Sequence, residues 1–291
     1  MRTTAWSDDS RQRQFGDHRP IPFLTTVDTQ SVRGVRVISY DVAEGVATIT
    51  IDDPARRNPL SNAEMAALCE AVTRSATDAE VRVVVVTGAG DRAFSAGGDL
   101  GGGFVDDALP DHEARGALAD LFRAMRRNPK PIVGRVNGVA LGGGFGVVAA
   151  CDIAIAVDTA RFGTPEIDLG LWPMMISAVL MPVVPQKALL EMMMTGRIVS
   201  ADEAVNLGVV SRAVPSGQLD SEVDAVVGAL LAKSSAALAL GKEAFYAVAD
   251  MDTDTALDHL QVGLTALALT EDAAEGVDAF LTKRTADWKH R

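Results

Sequence analysis

Val81-Arg-Val-Val-Val-Val-Thr-Gly-Ala-Gly-Asp-Arg-Ala-Phe-Ser-Ala-Gly-Gly-Asp-Leu100 is the stretch whose reading decides the class of fold. The β-branched run from Val81 to Thr87 lacks a polar face, as expected of a strand covered on both sides. It ends in Gly88-Ala-Gly90-Asp-Arg-Ala93, which mimics the G-x-G-x-x-A fingerprint of dinucleotide sites. That fingerprint requires a helix to begin at once, so that its N-terminus meets a pyrophosphate. Phe94-Ser-Ala-Gly-Gly-Asp99 follows instead, with two glycines where the helix should be, and a tight turn is the simpler reading.

Working outward, Val35 to Tyr40 and Val46 to Ile51 are β-branched and partly alternating, with Glu44-Gly45 between them, and read as a hairpin. Ser61-Asn-Ala-Glu64 has capping-box spacing, and Met65, Leu68, Cys69 and Val72 recur at helical intervals after it. Downstream, Leu118, Leu121, Phe122 and Met125 mark a second amphipathic helix. Pro131 to Val136 is a short strand closed by an Asn137-Gly138 turn, and an Ala/Val-rich helix leads to a buried strand at Ile153 to Val157. Strands and helices alternate, so the class is α/β. Beyond about Gln186 the chain turns Ala/Leu/Met-rich and helical, with a second capping box at Ser200-Ala-Asp-Glu203 and a strand only around Val209 to Val214. The expected organisation is a disordered tail over 1–32, an α/β core over 33–185 and a helical region over 186–291.

The 291 residues are 48% apolar and 23% charged, a globular mix able to bury a sizeable core. A net charge of −12 argues against wrapping nucleic acid, which depends on Lys and Arg neutralising phosphates. Cys69 and Cys151 lie far apart, without metal-ligand spacing, and the expected compartment is the reducing cytoplasm. The uncharged stretch from Leu171 to Val184 is shorter than the roughly 20 residues that span a bilayer and is broken by Pro173 and Pro182, so no membrane role is expected. His18, His112, His259 and His290 have no nucleophile partner at a recognisable spacing, which leaves a Ser-His-Asp hydrolase unsupported.

The informative feature is a pair of glycine sites, Ser95-Ala-Gly-Gly-Asp-Leu100 and Asn137-Gly-Val-Ala-Leu-Gly-Gly-Gly144, each after a strand. Each can present a bare backbone N–H, and the helix after Gly143 adds the partial positive charge of its free amides. Two such amides on one oxygen would form an oxyanion hole. Close packing of strand on helix is the alternative reading of either cluster alone. Together with Cys151-Asp-Ile-Ala-Ile-Ala156 and Phe162-Gly-Thr-Pro-Glu-Ile167, these motifs resemble the crotonase, or enoyl-CoA hydratase/isomerase, superfamily. The resemblance runs from about Val35 to Phe280-Leu-Thr-Lys-Arg284.

The resemblance implies a spiral of ββα units with a helical C-terminal oligomerisation region, assembled as a homotrimer or hexamer, and an acyl-CoA thioester as substrate. Gly98 and Gly143 would hold the thioester oxygen and Glu166 would act as acid and base. Substrate contacts would come from Ala55, Arg56 and Arg57, from Ala96, Gly97, Asp99 and Leu100, from Val139, Gly142 and Pro165, and from Lys283, with Arg284 a further cation for the phosphates. No cofactor or metal is implied, coenzyme A being part of the substrate. Hydratases of the family commonly carry a second glutamate just after the triple glycine, where this chain has Gly146, and Met174 stands where some relatives place another acid. One carboxylate must then both take and deliver protons, or shuttle a proton between carbons. Hydration of a 2-enoyl-CoA is the leading expectation and double-bond isomerisation the alternative, with a catalytically weak acyl-CoA-binding paralogue, a thioester hydrolase or a decarboxylase beyond them. A capping or surface role is the other reading of Glu166. Asp99 and Asp152 read as turn or capping residues, while Asp106, Asp107 and His112 sit in a Gly/Asp-rich segment that borders the acyl pocket in this family.

Overall fold

The computed structural model describes residues 37–99 and 112–291. The expected tail over 1–32, Val35, Leu100, Asp106 and Asp107 lie outside the described residues. The chain opens with the hairpin: β1 (Ile38–Ala43) runs antiparallel to β2 (Val46–Ile51), with Ala43 opposite Val46. Glu44 and Gly45 both have positive φ, the mirror-image turn whose twist matches that of the flanking strands. The helix α1 (Asn62–Thr77) starts on a complete capping box between Ser61 and Glu64 and buries Met65, Leu68 and Val72.

From there a strand–strand–helix repeat takes over. β3 (Val83–Gly88), β4 (Ala93–Ser95) and α2 (His112–Arg127) form one round; β5 (Ile132–Val136), β6 (Val139–Leu141) and α3 (Gly143–Ala150) form the next. β7 (Ile153–Val157) and β8 (Arg161–Gly163) lead through a 3-10 turn, Pro165–Leu169, into α4 (Met174–Leu180). The first strand of each round joins one sheet and the second strand joins another. With β9 (Val199–Ser200) and β10 (Arg212–Val214), the sheet orders are β1-β2-β3-β5-β7-β10 and β4-β6-β8-β9. Beyond the hairpin all pairs in the larger sheet are parallel, and each round adds one strand beside the last, so the chain winds as a spiral. The continuous apolar character of the first strands has its reason here, since every residue of β3 is buried. The four residues that marked α2, Leu118, Leu121, Phe122 and Met125, are its buried face.

Two expectations need correction. The strand expected around Val209 to Val214 is β10, which pairs with β7, but β9, which pairs antiparallel with β8, was not expected, and both belong to a single unit spanning Arg36–Arg291. β9 is two residues long, too short to show a period. The second capping box is half formed. Ser200 accepts from the Glu203 N–H at the start of α6 (Ala201–Asn206), but the Glu203 carboxylate pairs with Arg197. The remaining helices are α5 (Gln186–Thr195), α7 (Leu219–Leu231), α8 (Ser235–Ala247), α9 (Thr253–Ala268) and α10 (Glu271–Thr282).

A half-buried polar joint ties α8 to the sheets. Asp152, just before β7, accepts from Lys242 Nζ at 2.6 Å, from the Ile132 N–H at 2.7 Å and from the Tyr246 hydroxyl at 2.9 Å. Burial and the neighbouring Asp152 push the Tyr246 hydroxyl well above its ordinary pKa. Asp152 is therefore a structural anchor, in line with the capping role read from sequence.

Candidate active site

β4 and β6 run side by side, and each ends in a glycine pair. Their register pairs Ala93 with Val139 and Ser95 with Ala140, so β4 carries one extra residue, a bulge at Phe94. Beyond Ser95 and Leu141 the two chains continue into the segments Gly97-Gly98 and Gly142-Gly143, and Gly97 meets Gly142. The backbone agrees. A Cβ built on Gly97 would lie 3.8 Å from the Gly142 Cα, and one on Gly142 would lie 3.8 Å from the Gly97 Cα. Both have positive φ, at 102° and 50°, where a larger residue would be strained.

Close packing explains some of these glycines and not others. A Cβ on Gly97 would come within 3.0 Å of the Leu141 carbonyl, and one on Gly144 within 2.6 Å of the Ser95 Cβ. At Gly98 the nearest atom would be 4.0 Å away, and at Gly143 only the flexible Met65 Cε at 3.5 Å. Neither has a positive φ. The protein's own sterics therefore do not demand glycine at 98 and 143, whereas unobstructed access to a backbone N–H would. Neither N–H has a hydrogen-bond partner among the described residues, and Gly143 is the first residue of α3, where the helix dipole favours negative charge. Two free amides on neighbouring glycine segments are suited to a developing oxyanion.

Glu166 lies against Gly142, the residue before Gly143. It follows Pro165 in the 3-10 turn after β8, and β8 is fixed beside the glycines by the Gly142 N–H donating to the Gly163 carbonyl at 2.9 Å. A Cβ on Gly142 would sit 3.0 Å from Glu166 Oε1. The other carboxylate oxygen, Oε2, is buried without a hydrogen-bond partner among the described residues, as is the hydroxyl of Thr164. Burial raises the pKa of Glu166, with a backbone hydrogen bond opposing the shift. A half-buried carboxylate with one oxygen left without a partner among the described residues is suited to exchanging protons, and no side-chain cap hydrogen bond opens this turn.

The space for a second acid is closed. Gly146 is one turn beyond Gly142 on α3, and a Cβ there would lie 2.6 Å from Ile176 Cγ2 and 2.7 Å from the Phe122 ring. Two apolar side chains occupy the place a residue-146 carboxylate would need. Met174 is 72% exposed.

The cations divide. Arg56 donates to Asp53 at 2.7 Å and to Asp99 at 2.8 Å, so it bridges two carboxylates on the loop before α1 and beside Gly98. Arg284 is held by Glu275 and Asp278, which leaves it a poorer phosphate candidate than the sequence suggested. Ala55 and Arg57 are exposed, and Lys283 is an exposed, left-handed residue closing α10. Ala96 and Gly97 are tied to the same loop, the Ala96 N–H donating to the Arg57 carbonyl and the Leu60 N–H to the Gly97 carbonyl, both at 2.9 Å. Val139 is half-buried at the start of β6, and Pro165 opens the turn that carries Glu166. His112 is exposed at the first turn of α2. Asn58, which the resemblance placed with Arg56 and Arg57 along the pantetheine and phosphate path, is instead a fully buried side chain at positive φ.

Residues 41–291 match the profile described as enoyl-CoA hydratase/isomerase. The mitochondrial enoyl-CoA hydratase domain-containing protein 3 of Mus musculus is 33% identical over 262 residues, which cover 88% of this chain and 85% of the mouse protein. The crotonyl-CoA hydratase of Syntrophomonas wolfei is 34% identical over 255 residues, covering 86% and 97%. The crystal structure of an enoyl-CoA hydratase from Mycobacterium smegmatis matches with a TM-score of 0.84 at 38% identity, covering 87% of this chain and 99% of that one. Since the likeness runs through both sheets, the glycine-bearing strands and the helices that follow, the chain belongs to the enoyl-CoA hydratase/isomerase family.

Proposed function

We propose that the protein hydrates a 2-enoyl-CoA with Glu166 as its only acid and base. The observation that carries this reading is the half-buried Glu166 carboxylate, one oxygen of it buried without a partner among the described residues, set against Gly142 beside the free amide of Gly143. The carboxylate takes a proton from water as the water oxygen bonds to Cβ. The electron pair of the double bond moves to the thioester oxygen, which the two amides hold. The Glu166 carboxyl then returns the proton to Cα, giving a 3-hydroxyacyl-CoA. One group suffices because it gives back the proton it takes. Arg57 and Lys283 are the exposed cations proposed to meet the coenzyme A phosphates, with Arg56 committed to Asp53 and Asp99.

Double-bond isomerisation is the second reading, favoured by the Phe122–Ile176 wall at Gly146. Glu166 would remove the Cα proton of a 3-enoyl-CoA and return it at Cγ, again through the held enolate. The deciding experiment is turnover of crotonyl-CoA against a 3-enoyl-CoA, with Glu166→Gln beside each. Hydration of crotonyl-CoA abolished by the variant supports the first reading. Turnover of the 3-enoyl substrate alone replaces it with the second, and activity untouched by the variant removes both. We also propose a homotrimer or hexamer, supported by exposed apolar side chains on α8, α9 and α10.

A further inference from the structure

Two asparagines grip the base of the strands that end in the glycine amides. Asn58 and Asn137 are 0% and 4% exposed, and both side chains are satisfied at each end. Asn58 Nδ2 donates to the carbonyls of Ala89 at 3.0 Å and Ala93 at 2.8 Å, while its Oδ1 accepts from the Asp53 N–H at 2.9 Å. Asn137 Nδ2 donates to the carbonyls of Gly90 at 2.8 Å and Ala93 at 3.1 Å, while its Oδ1 accepts from the Gly88 N–H at 3.3 Å. The two amides thus share the Ala93 carbonyl. The turn they hold is packed against its neighbours, since a Cβ on Gly88 would lie 2.4 Å from the Phe94 carbonyl and one on Gly138 2.4 Å from the Arg92 carbonyl.

Ala93 is the first residue of β4 and pairs with Val139, the first of β6. Asn137 lies two residues before that pair on the β6 side. Asn58 lies in the segment whose backbone is zipped to 96–99 through the Arg57 and Leu60 carbonyls. Fixing the Ala93–Val139 pair, with the bulge at Phe94 counted in, constrains how the following segments Gly97-Gly98 and Gly142-Gly143 approach one another. We infer that Asn58 and Asn137 act as a pair of positioning residues that hold the two amide donors in register on the thioester oxygen. The local backbone supports a dedicated role. Asn58 adopts a left-handed φ of 56°, which a short side chain with a local hydrogen-bond partner tolerates and most residues do not. A hydrogen-bonded Asn at each side can fix the turn to a fraction of an ångström, the tolerance that oriented catalysis requires.

The inference rests on the proposed role of Gly98 and Gly143. The test therefore reads the held oxygen as well as turnover. Asn58→Asp and Asn137→Asp keep the shape and the accepting oxygen but remove the amide donor to Ala93. With butyryl-CoA carrying 13C at the thioester carbonyl, the wild-type protein should shift the carbonyl stretch to lower frequency. Each variant should bind this ligand within about threefold of wild type, lose most of that shift, and lose at least about tenfold in kcat with little change in KM. Asn58→Ser and Asn137→Ser, which retain a short donor, should recover part of both. Absence of any shift in wild type would overturn the reading of Gly98 and Gly143 and the clamp with it. A wild-type shift retained in folded Asp variants with unchanged kcat overturns the clamp alone. So does loss of folding in both the Asp and the Ser forms, which would make the asparagines supports of the whole fold.

Discussion

The spiral core and the C-terminal helices are built from similar residues and treat them in opposite ways. In the core, Val83 to Val86, Phe94, Phe145 and Phe162 are buried, and Phe145 and Phe162 meet at 5.7 Å between ring centres. In α8 and α9 no residue is buried, and in α10 only Asp272 and Ala279 are. Val262 is 70% exposed and Phe280 82%, although each sits in a well-capped helix, and Leu269, which closes α9, is 83% exposed. The difference teaches that helix formation and burial were separated here. Ser234, Asp252 and Thr270 cap these helices by local hydrogen bonds, so they form without a core of their own. An apolar surface of this kind marks an interaction face, which is the physical support for the proposed assembly.

The comparison is most easily broken at the joint between the two regions. Lys242 is 9% exposed on its side chain and pairs with Asp152, so Lys242→Ala should leave the half-buried carboxylate without its counter-charge, held only by Ile132 N–H and the Tyr246 hydroxyl, and cost about 2–3 kcal/mol, read by urea unfolding. A variant as stable as wild type would mean that α8 is held by its other contacts. Glu166→Gln tests the core side. Turnover should fall by at least about a hundredfold while the affinity for a 3-hydroxyacyl-CoA stays nearly constant. Gly146→Glu should destabilise by about 1–3 kcal/mol without raising hydration, because Ile176 and Phe122 occupy its space; adding Phe122→Ala should relieve part of that cost. Phe280→Asp on the exposed face should leave the protomer folded and lower its sedimentation coefficient. An unchanged coefficient with a monomeric wild type would remove the proposed oligomer.

The smallest effects concern pH. Burial raises the Glu166 pKa, and only the anion can accept a proton, so kcat/KM should fall as pH drops through that raised value, above the ordinary carboxylate range. Folding has the opposite sign. Between the ordinary and the raised value the folded chain holds this proton more tightly than the unfolded chain, so stability declines as pH rises through the window. Above it Glu166→Gln should raise Tm slightly, a trade of stability for activity seen as melting curves at two pH values.

What the sequence determined by itself was whatever depends on near neighbours along the chain. The Glu44-Gly45 turn, the Ser61–Glu64 capping box, the buried face of α2 and the buried run of β3 were all legible, because periodicity and capping are local physics. So were the glycine clusters and Glu166 as candidates, through their motifs. Tertiary structure decided the rest. Strands β4, β6, β8 and β9 have two or three residues each and carry no period, so only pairing between distant segments could reveal the second sheet and the meeting of Gly97 with Gly142. The sequence showed that Gly146 lacks a carboxylate, but only packing showed Phe122 and Ile176 filling its place. Arg56 read as a phosphate ligand until folding brought Asp99, 43 residues away in sequence, within 2.8 Å of it. Local rules name the groups that could act; charge pairing and volume are shared between remote segments, and only the folded chain assigns them.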